Sequence, residues 1–294
     1  MQVLGNIERT VMDAPAGAGL LHLLDAWLRP TEDWSLRDEY PRVFGPGSHA
    51  LQHVLHDHDK ILAHAATVDI EHAGHGREIA VRLVGSVVVH PDHRAEGFGT
   101  RLIRLLAEDF AKDCCDLLLL WSDQDGFYGR CGFQPVGTEH ILRLGPSRLG
   151  PGLGMLRRAH AEDVPSLLAL HAAKPSGTRR DESDFAAWLA IPRCETWVLA
   201  VDDRVLAYAS LGRGLDFRDH IHEVGGRDTE VASLVSSLLM QKQCELGLLL
   251  PPYRLDLRTL LRPSLIAETR TRLGMGIQKS PIPPDFYLEG FDSI

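Results

Sequence analysis

Val87-Val88-Val89-His90-Pro91-Asp92-His93-Arg94-Ala95-Glu96-Gly97-Phe98-Gly99-Thr100-Arg101-Leu102-Ile103-Arg104-Leu105-Leu106-Ala107-Glu108-Asp109-Phe110 is the stretch that decides the fold. A β-branched run enters a loop with two glycines. Apolar residues at helical spacing follow, with Leu102, Ile103, Leu105, Leu106 and Phe110 largely on one face. Strand, glycine loop and helix in immediate succession build an anion site. The unpaired N–H groups of the first helical turn and the positive end of the helix dipole converge on loop 94–99, where a pyrophosphate fits.

Outward from this stretch, residues 79–89 read as a strand, and residues 50–55 and 60–70 as a hairpin around His56-Asp57-His58-Asp59. Residues 19–28 have helical spacing and stop at Pro30, after which a polar, Pro- and Gly-rich stretch runs to Gly47. On the other side, residues 116–121 read as a short strand buried on both faces, 127–131 as a short helix and 137–144 as a closing strand. Residues 146–154, within the Gly- and Pro-rich stretch that begins at Gly145, are the linker candidate, which sets domains at 1–145 and 155–294. Beyond it the order of elements begins again. Strand 155–158, helices 161–171 and 182–189, hairpin 196–201 and 205–211, strand 220–224, helix 229–246 and strand 253–259 are expected, and the tail 286–294 alternates as a final strand would.

A chain of 294 residues has room for two ordinary domains. Its 44% hydrophobic and 24% charged residues are those of a soluble globular protein, without an apolar run of about 18 residues for a membrane span. Acids outnumber bases 40 to 31, which argues against a nucleic-acid backbone as partner and leaves a cationic amine mildly favoured. The first residues lack an export pattern, and five cysteines without CxxC spacing suit a reducing compartment, so a cytoplasmic protein is expected. His49, His53, His56, His58, His64, His72 and His75 crowd one region, but their spacing matches no established metal site, and no metal is expected.

Three features stand in order: Val89-His90-Pro91, the loop that opens at Arg94, and Phe127-Tyr128-Gly129-Arg130-Cys131-Gly132-Phe133 some thirty residues on. Together they resemble the GCN5-related N-acetyltransferase superfamily, with its [Arg or Gln]xxGx[Gly or Ala] loop and FYxxxGF element. The resemblance implies an α/β (α+β) fold with a mixed, mostly antiparallel central sheet flanked by helices. It is strongest over residues 80–136. The second half is similar in outline only, and its loop Val224-Gly225-Gly226-Arg227-Asp228-Thr229 lacks the full spacing, which implies two tandem copies of which the second has lost cofactor binding.

The resemblance implies acetyl-CoA as cosubstrate, with the backbone amides of Arg94, Ala95, Glu96, Gly97, Phe98, Gly99 and Thr100 on its pyrophosphate. Main-chain groups of Val87 and Val89 would pair with the pantetheine arm, and an amide near Val88 would face the oxyanion. Tyr128 corresponds to the family's general acid toward the departing thiolate. An amine would attack the thioester directly in a ternary complex. No motif fixes the general base. Glu39 is a candidate because that region commonly lines the acceptor groove in the family, although the sequence by itself favours a solvated surface acid; Ser122 and Asp123 follow the short strand and either contact the acceptor or form a cap or turn. Some tandem relatives use a chain-end carboxylate as base, which makes deletion of Ile294 worth trying but does not place it among the expected site residues. A non-catalytic acyl-CoA-binding or regulatory module, and an acyltransferase for a longer acyl-CoA, remain the alternatives; acceptor identity and oligomeric state are not legible.

Overall fold

The computed structural model describes residues 6–12, 17–58, 60–74, 76–146 and 154–294. In the first half the chain forms β1 (Asn6–Thr10), α1 (Gly17–Leu28), the short α2 (Leu36–Glu39) and α3 (Pro41–Phe44), β2 (Leu51–Asp57), β3 (Lys60–Gly74), β4 (Arg77–Val89), α4 (Phe98–Lys112), β5 (Leu117–Leu120), α5 (Asp125–Gly129), β6 (Gln134–Val136) and β7 (Glu139–Leu144). The second half adds β8 (Met155–Arg158), α6 (Val164–Ala172), β9 (Ser176–Thr178), α7 (Glu182–Leu189), β10 (Glu195–Val201), β11 (Arg204–Leu211), β12 (His220–Gly226), α8 (Asp228–Lys242), β13 (Leu246–Leu250), α9 (Leu255–Leu260), β14 (Leu265–Thr271) and β15 (Gly274–Gln278). None of the described helices is long and apolar enough to cross a membrane.

Two mixed sheets result, as expected for two copies of one fold. The first has the order β1-β2-β3-β4-β5-β15-β6, with β9 on the far end of β3; the second runs β14-β7-β13-β12-β11-β10-β8. Among the described strands only β4 with β5 and β12 with β13 pair in parallel, so each sheet is mostly antiparallel. On one face of the first sheet α4 buries Leu102, Ile103, Leu106 and Phe110, the stripe that its helical period requires. At about 1.5–3 kcal/mol per large apolar side chain, that stripe rather than helix propensity holds α4 in place. The other face is covered by α1 to α3 and by Phe286, Tyr287 and Leu288 from the end of the chain.

The halves exchange strands. The expected closing strand of the first domain, β7, lies in the second sheet, where Leu144 faces Leu246 and its other edge meets β14. In return β15 enters the first sheet between β5 and β6, placing Met275 and Ile277 in the core beneath α4. A division at 146–154 therefore separates the sequence but not the sheets; residues 147–153 and His75 lie outside the described residues. Pairing over such sequence distances leaves no local mark.

Other expectations also change. The helix expected over 229–246 ends at Lys242, where Gln243 turns left-handed (φ 52°), and β13 follows. The expected strand 253–259 is mostly α9, and the tail 286–294 is no strand. The stretch before Gly47 folds into α2 and α3 because Ser35 caps Arg37 N–H and Asp38 bonds back to Ser35 N–H.

Candidate active site

The site begins where β4 and β5 part. Their last parallel pair is Leu83 with Leu119, yet β4 continues along β3 to the pair Val89 with Ala63. Beyond Leu83 no described strand covers the other edge of β4, so main-chain groups around Val87, Val88 and Val89 face a wedge. A register shift between His64 and Ala66 bulges this segment, and Ser86 takes a left-handed φ of 51°. His64 lies 3.0 Å from Ser86 O through Nδ1 and 2.9 Å from Gln52 Oε1 through Nε2. Burial pushes the His64 pKa down to about 4, so the neutral ring has one N–H, which we assign to the Ser86 carbonyl.

The loop after β4 turns through two left-handed residues, Ala95 (φ 65°) and Gly97 (φ 89°), before α4 starts at Phe98. Such a sequence of turns aims successive N–H groups at one point, and the helix dipole adds to them. Nothing lies within 4 Å of where a Cβ on Gly97 would be, so this side of the loop is open to a ligand. Arg94, Ala95, Glu96 and Gly97 are exposed, Phe98 and Gly99 buried, and Thr100 half-buried. Phe98 also ends a ladder of ring contacts through His93 and His90 to Trp27 on α1.

Helix α5 meets this loop from the other side. A Cβ on Gly99 would lie 3.1 Å from Val89 Cγ2 and 3.5 Å from the Phe127 ring, so β4, α4 and α5 converge there. Tyr128 follows, packed edge-on between Phe127 (4.8 Å) and Phe133 (5.7 Å). Its hydroxyl has no hydrogen-bond partner among the described residues, and burial raises its pKa to about 12. Tyr128 therefore stays protonated across the physiological range. Full transfer to a thiolate whose conjugate acid lies near 8.5 would be uphill by roughly 5 kcal/mol, which favours hydrogen-bond donation over complete proton transfer.

The acceptor-side candidates fare differently. Glu39 is buried, not a solvated surface acid: Arg29 Nε donates to its Oε2 at 2.7 Å, Trp34 Nε1 at 3.3 Å, and Leu215 N–H reaches Oε1 at 3.2 Å. These bonds tie α2 to the second half and leave no free carboxylate for a base. Ser122 Oγ accepts the Gln124 N–H, a turn, while Asp123 is exposed; both line a cavity of about 450 Å³ with Arg272, which donates to Ser122 O. Ile294 reaches β4 itself. Its main-chain oxygen sits 1.9 Å from where a Cβ on Gly85 would be.

Among the described residues the histidines of the first half form no cluster of three metal-ligating side chains. His53 bonds Thr67, His72 meets Tyr287 O and Ser176, and His58 is exposed. The acidic and histidine side chains that do come together, His171, Glu223 and Glu289, surround the Lys174 ammonium, which already supplies a cation. Burial raises the thiol pKa values of Cys115 to about 11 and Cys194 to about 12, so neither is an activated thiolate.

Residues 24–136 match the family model for an acetyltransferase (GNAT) domain. That match spans β4, the loop and α4 of the candidate site. Three solved structures resemble it over most of its length. They are a conserved protein of unknown function from Enterococcus faecalis V583 (TM-score 0.70, 13% identity, covering 94% of this chain and 73% of that one), and GCN5-related N-acetyltransferases from Kribbella flavida (0.66, 18%, 93% and 71%) and Anabaena variabilis ATCC 29413 (0.68, 11%, 92% and 72%). At these identities the likeness is one of fold. No curated protein matches the sequence.

The second sheet repeats the GNAT order of strand, loop, helix and strand as β12, α8 and β13, but its helix start is built differently. Arg227 and Glu230 close a capping box, and Asp228 at the head of α8 accepts from Arg254 (2.7 Å) and Leu257 N–H (3.0 Å). Two carboxylates stand where the first GNAT loop presents open amides. On β12 the buried Glu223 accepts from Lys174 at 3.4 Å and from Tyr208 O–H at 2.7 Å.

Proposed function

We propose that the chain is an acetyl-CoA-dependent N-acetyltransferase whose chemistry resides in the first sheet. One observation carries the reading: the open edge of β4 leads directly into the doubly left-handed loop 94–99, and at Gly99 that loop meets Val89 and the Phe127 ring, next to Tyr128 on α5. The amides of Arg94 to Thr100 would hold the pyrophosphate, and Val87 and Val89 would pair with the pantetheine as an added strand. Acetyl-CoA supplies the activated acyl group.

The chain's part is to position and to stabilise charge. The N–H near Val88, on a bulge pinned by His64, would face the carbonyl oxygen as a neutral primary amine attacks, a new C–N bond forms and the C–S bond breaks, and the proton that the nitrogen gives up ends on the CoA sulfur, so that amide and free thiol leave. Tyr128 would donate a hydrogen bond to the departing sulfur. In the second half, the acidic start of α8 supports a copy without a CoA cradle.

Thiol release from acetyl-CoA across a panel of primary amines, beside acetyl-CoA binding alone, tests the proposal. Amine-dependent release supports it, whereas binding without release would leave an acyl-CoA-binding module. Calorimetry with acetyl-, succinyl- and longer-chain CoA sets the acyl preference, and tighter binding of a long chain would assign a different acyltransferase.

A further inference from the structure

Residues 286–294 form a strap that belongs to both halves. Phe286, Tyr287 and Leu288 sit in the core of the first sheet, whereas Phe291 stacks on Trp188 of α7 at 4.6 Å and an interplanar angle of 9°. Glu289 pairs with Lys174, and Asp292 accepts from Arg180 at 3.0 Å. The strap ends at Ile294 against Gly85, on the segment of β4 that opens into the wedge.

Arg213, just beyond β11, grips this strap. Its side chain is 2% exposed, a depth at which a guanidinium ordinarily has a carboxylate partner. Among the described residues it forms no ion pair. Instead Nη1 donates to Gly290 O and to Ser293 Oγ (3.2 Å), Nη2 to Ser293 O (3.2 Å) and Nε to Glu39 O (3.1 Å), with the guanidinium 4.4 Å from the centre of the Tyr40 ring. One rigid fork thus joins the second sheet, the strap and the end of α2. A lysine has neither the planar fork nor enough directed donors to replace it.

We propose that Arg213 is a positioning residue for acyl transfer in the first sheet: it fixes the strap so that Ile294 walls the acceptor side of the wedge beside Ser86 and Val87. The inference rests on the acetyltransferase reading. It gives the second half a task in the reaction that needs no cofactor of its own.

The test measures acetyl-CoA affinity, kcat at saturating acetyl-CoA and amine, and amide hydrogen exchange of residues 286–294 in the full chain, for Arg213→Lys, Arg213→Met and the milder Ser293→Ala. Acetyl-CoA Kd should stay within about twofold while kcat falls about tenfold or more in both Arg213 variants. The strap amides should lose protection, and Ser293→Ala should show a smaller loss of kcat. Strap loosening with unchanged kcat would overturn the proposal, as would unchanged kcat in Ser293→Ala if the Arg213 variants fail to fold. Absence of thiol release from the wild-type chain would overturn the acetyltransferase reading, and this inference with it; normal wild-type turnover with indifferent variants would overturn this inference alone.

Discussion

The main-chain oxygen of Ile294 occupies the space in which any residue but glycine at position 85 would place its Cβ, 1.9 Å away. A strand residue deep in the first half and the last residue of the sequence are therefore fitted to each other. Gly85→Ala must displace either the strap or the bulge of β4, at a cost of about 1–3 kcal/mol. We expect the melting temperature to drop by several degrees and kcat to fall more than acetyl-CoA affinity; equal losses in both would mean that the contact serves stability alone.

Tyr128 is held protonated by burial, so its substitution should leave the charge of the site unchanged. In Tyr128→Phe, kcat should fall by about 10²-fold while acetyl-CoA Kd changes little. Steady-state kinetics beside calorimetry separate the two effects, and an unaltered kcat removes the hydroxyl from the mechanism.

Five buried histidines, His53, His64, His72, His171 and His222, are held below the usual imidazole range by burial and contribute to the response to acid. Burial lowers His53 and His64 to about 4 and His222 to about 3, against about 6.5 in an unfolded chain. Between those values the unfolded chain binds more protons, so stability is greatest above about pH 6.5 and is lost as the pH falls toward 4. Glu289 acts in the opposite sense: burial beside Glu223 raises it to about 7, so the folded chain takes up its proton first and stability falls as pH rises from about 4.5 to 7. Urea unfolding should show a steeper rise with pH over this window in Glu289→Gln than in the wild type, and a shallower rise would reverse the assignment.

Strand exchange predicts how the chain responds to cutting. With a protease site placed within residues 147–153, the two fragments should remain together on a native sizing column and part only in denaturant, because β7 and β15 each complete the other half's sheet. Fragments that separate natively would contradict the exchange.

Local period made much of the first half legible. Val87 to Phe110 shows a change from a strand to a helix in its own residues, and four leucines at 117–120 are too few for a helix. The same reasoning stumbled at Leu246–Leu250, where leucines directly follow a real helix and nothing marks the left-handed turn at Gln243. The partners of β7 and β15 lie more than a hundred residues away and Arg213 meets the strap 77 to 80 residues on, and no period encodes such pairings. Arg213 escaped notice for that reason, although it stands between Gly212 and Gly214, and a Cβ on Gly214 would strike Glu39. That glycine bracket was the available sign of close packing. Glu39, conversely, reads as a surface acid because Arg29, Trp34 and Leu215 meet it only after folding.

If loop 94–99 of the first sheet is the acyl-CoA cradle and the second sheet has none, one chain binds one acetyl-CoA. Calorimetric titration of the full chain with acetyl-CoA, beside Gly97→Val, tests it most directly, since a β-branched residue cannot easily hold a φ of 89°. The account predicts one site per chain, abolished or weakened at least tenfold in a variant that remains folded. Two sites in the wild type, or one site indifferent to Gly97→Val, would contradict it.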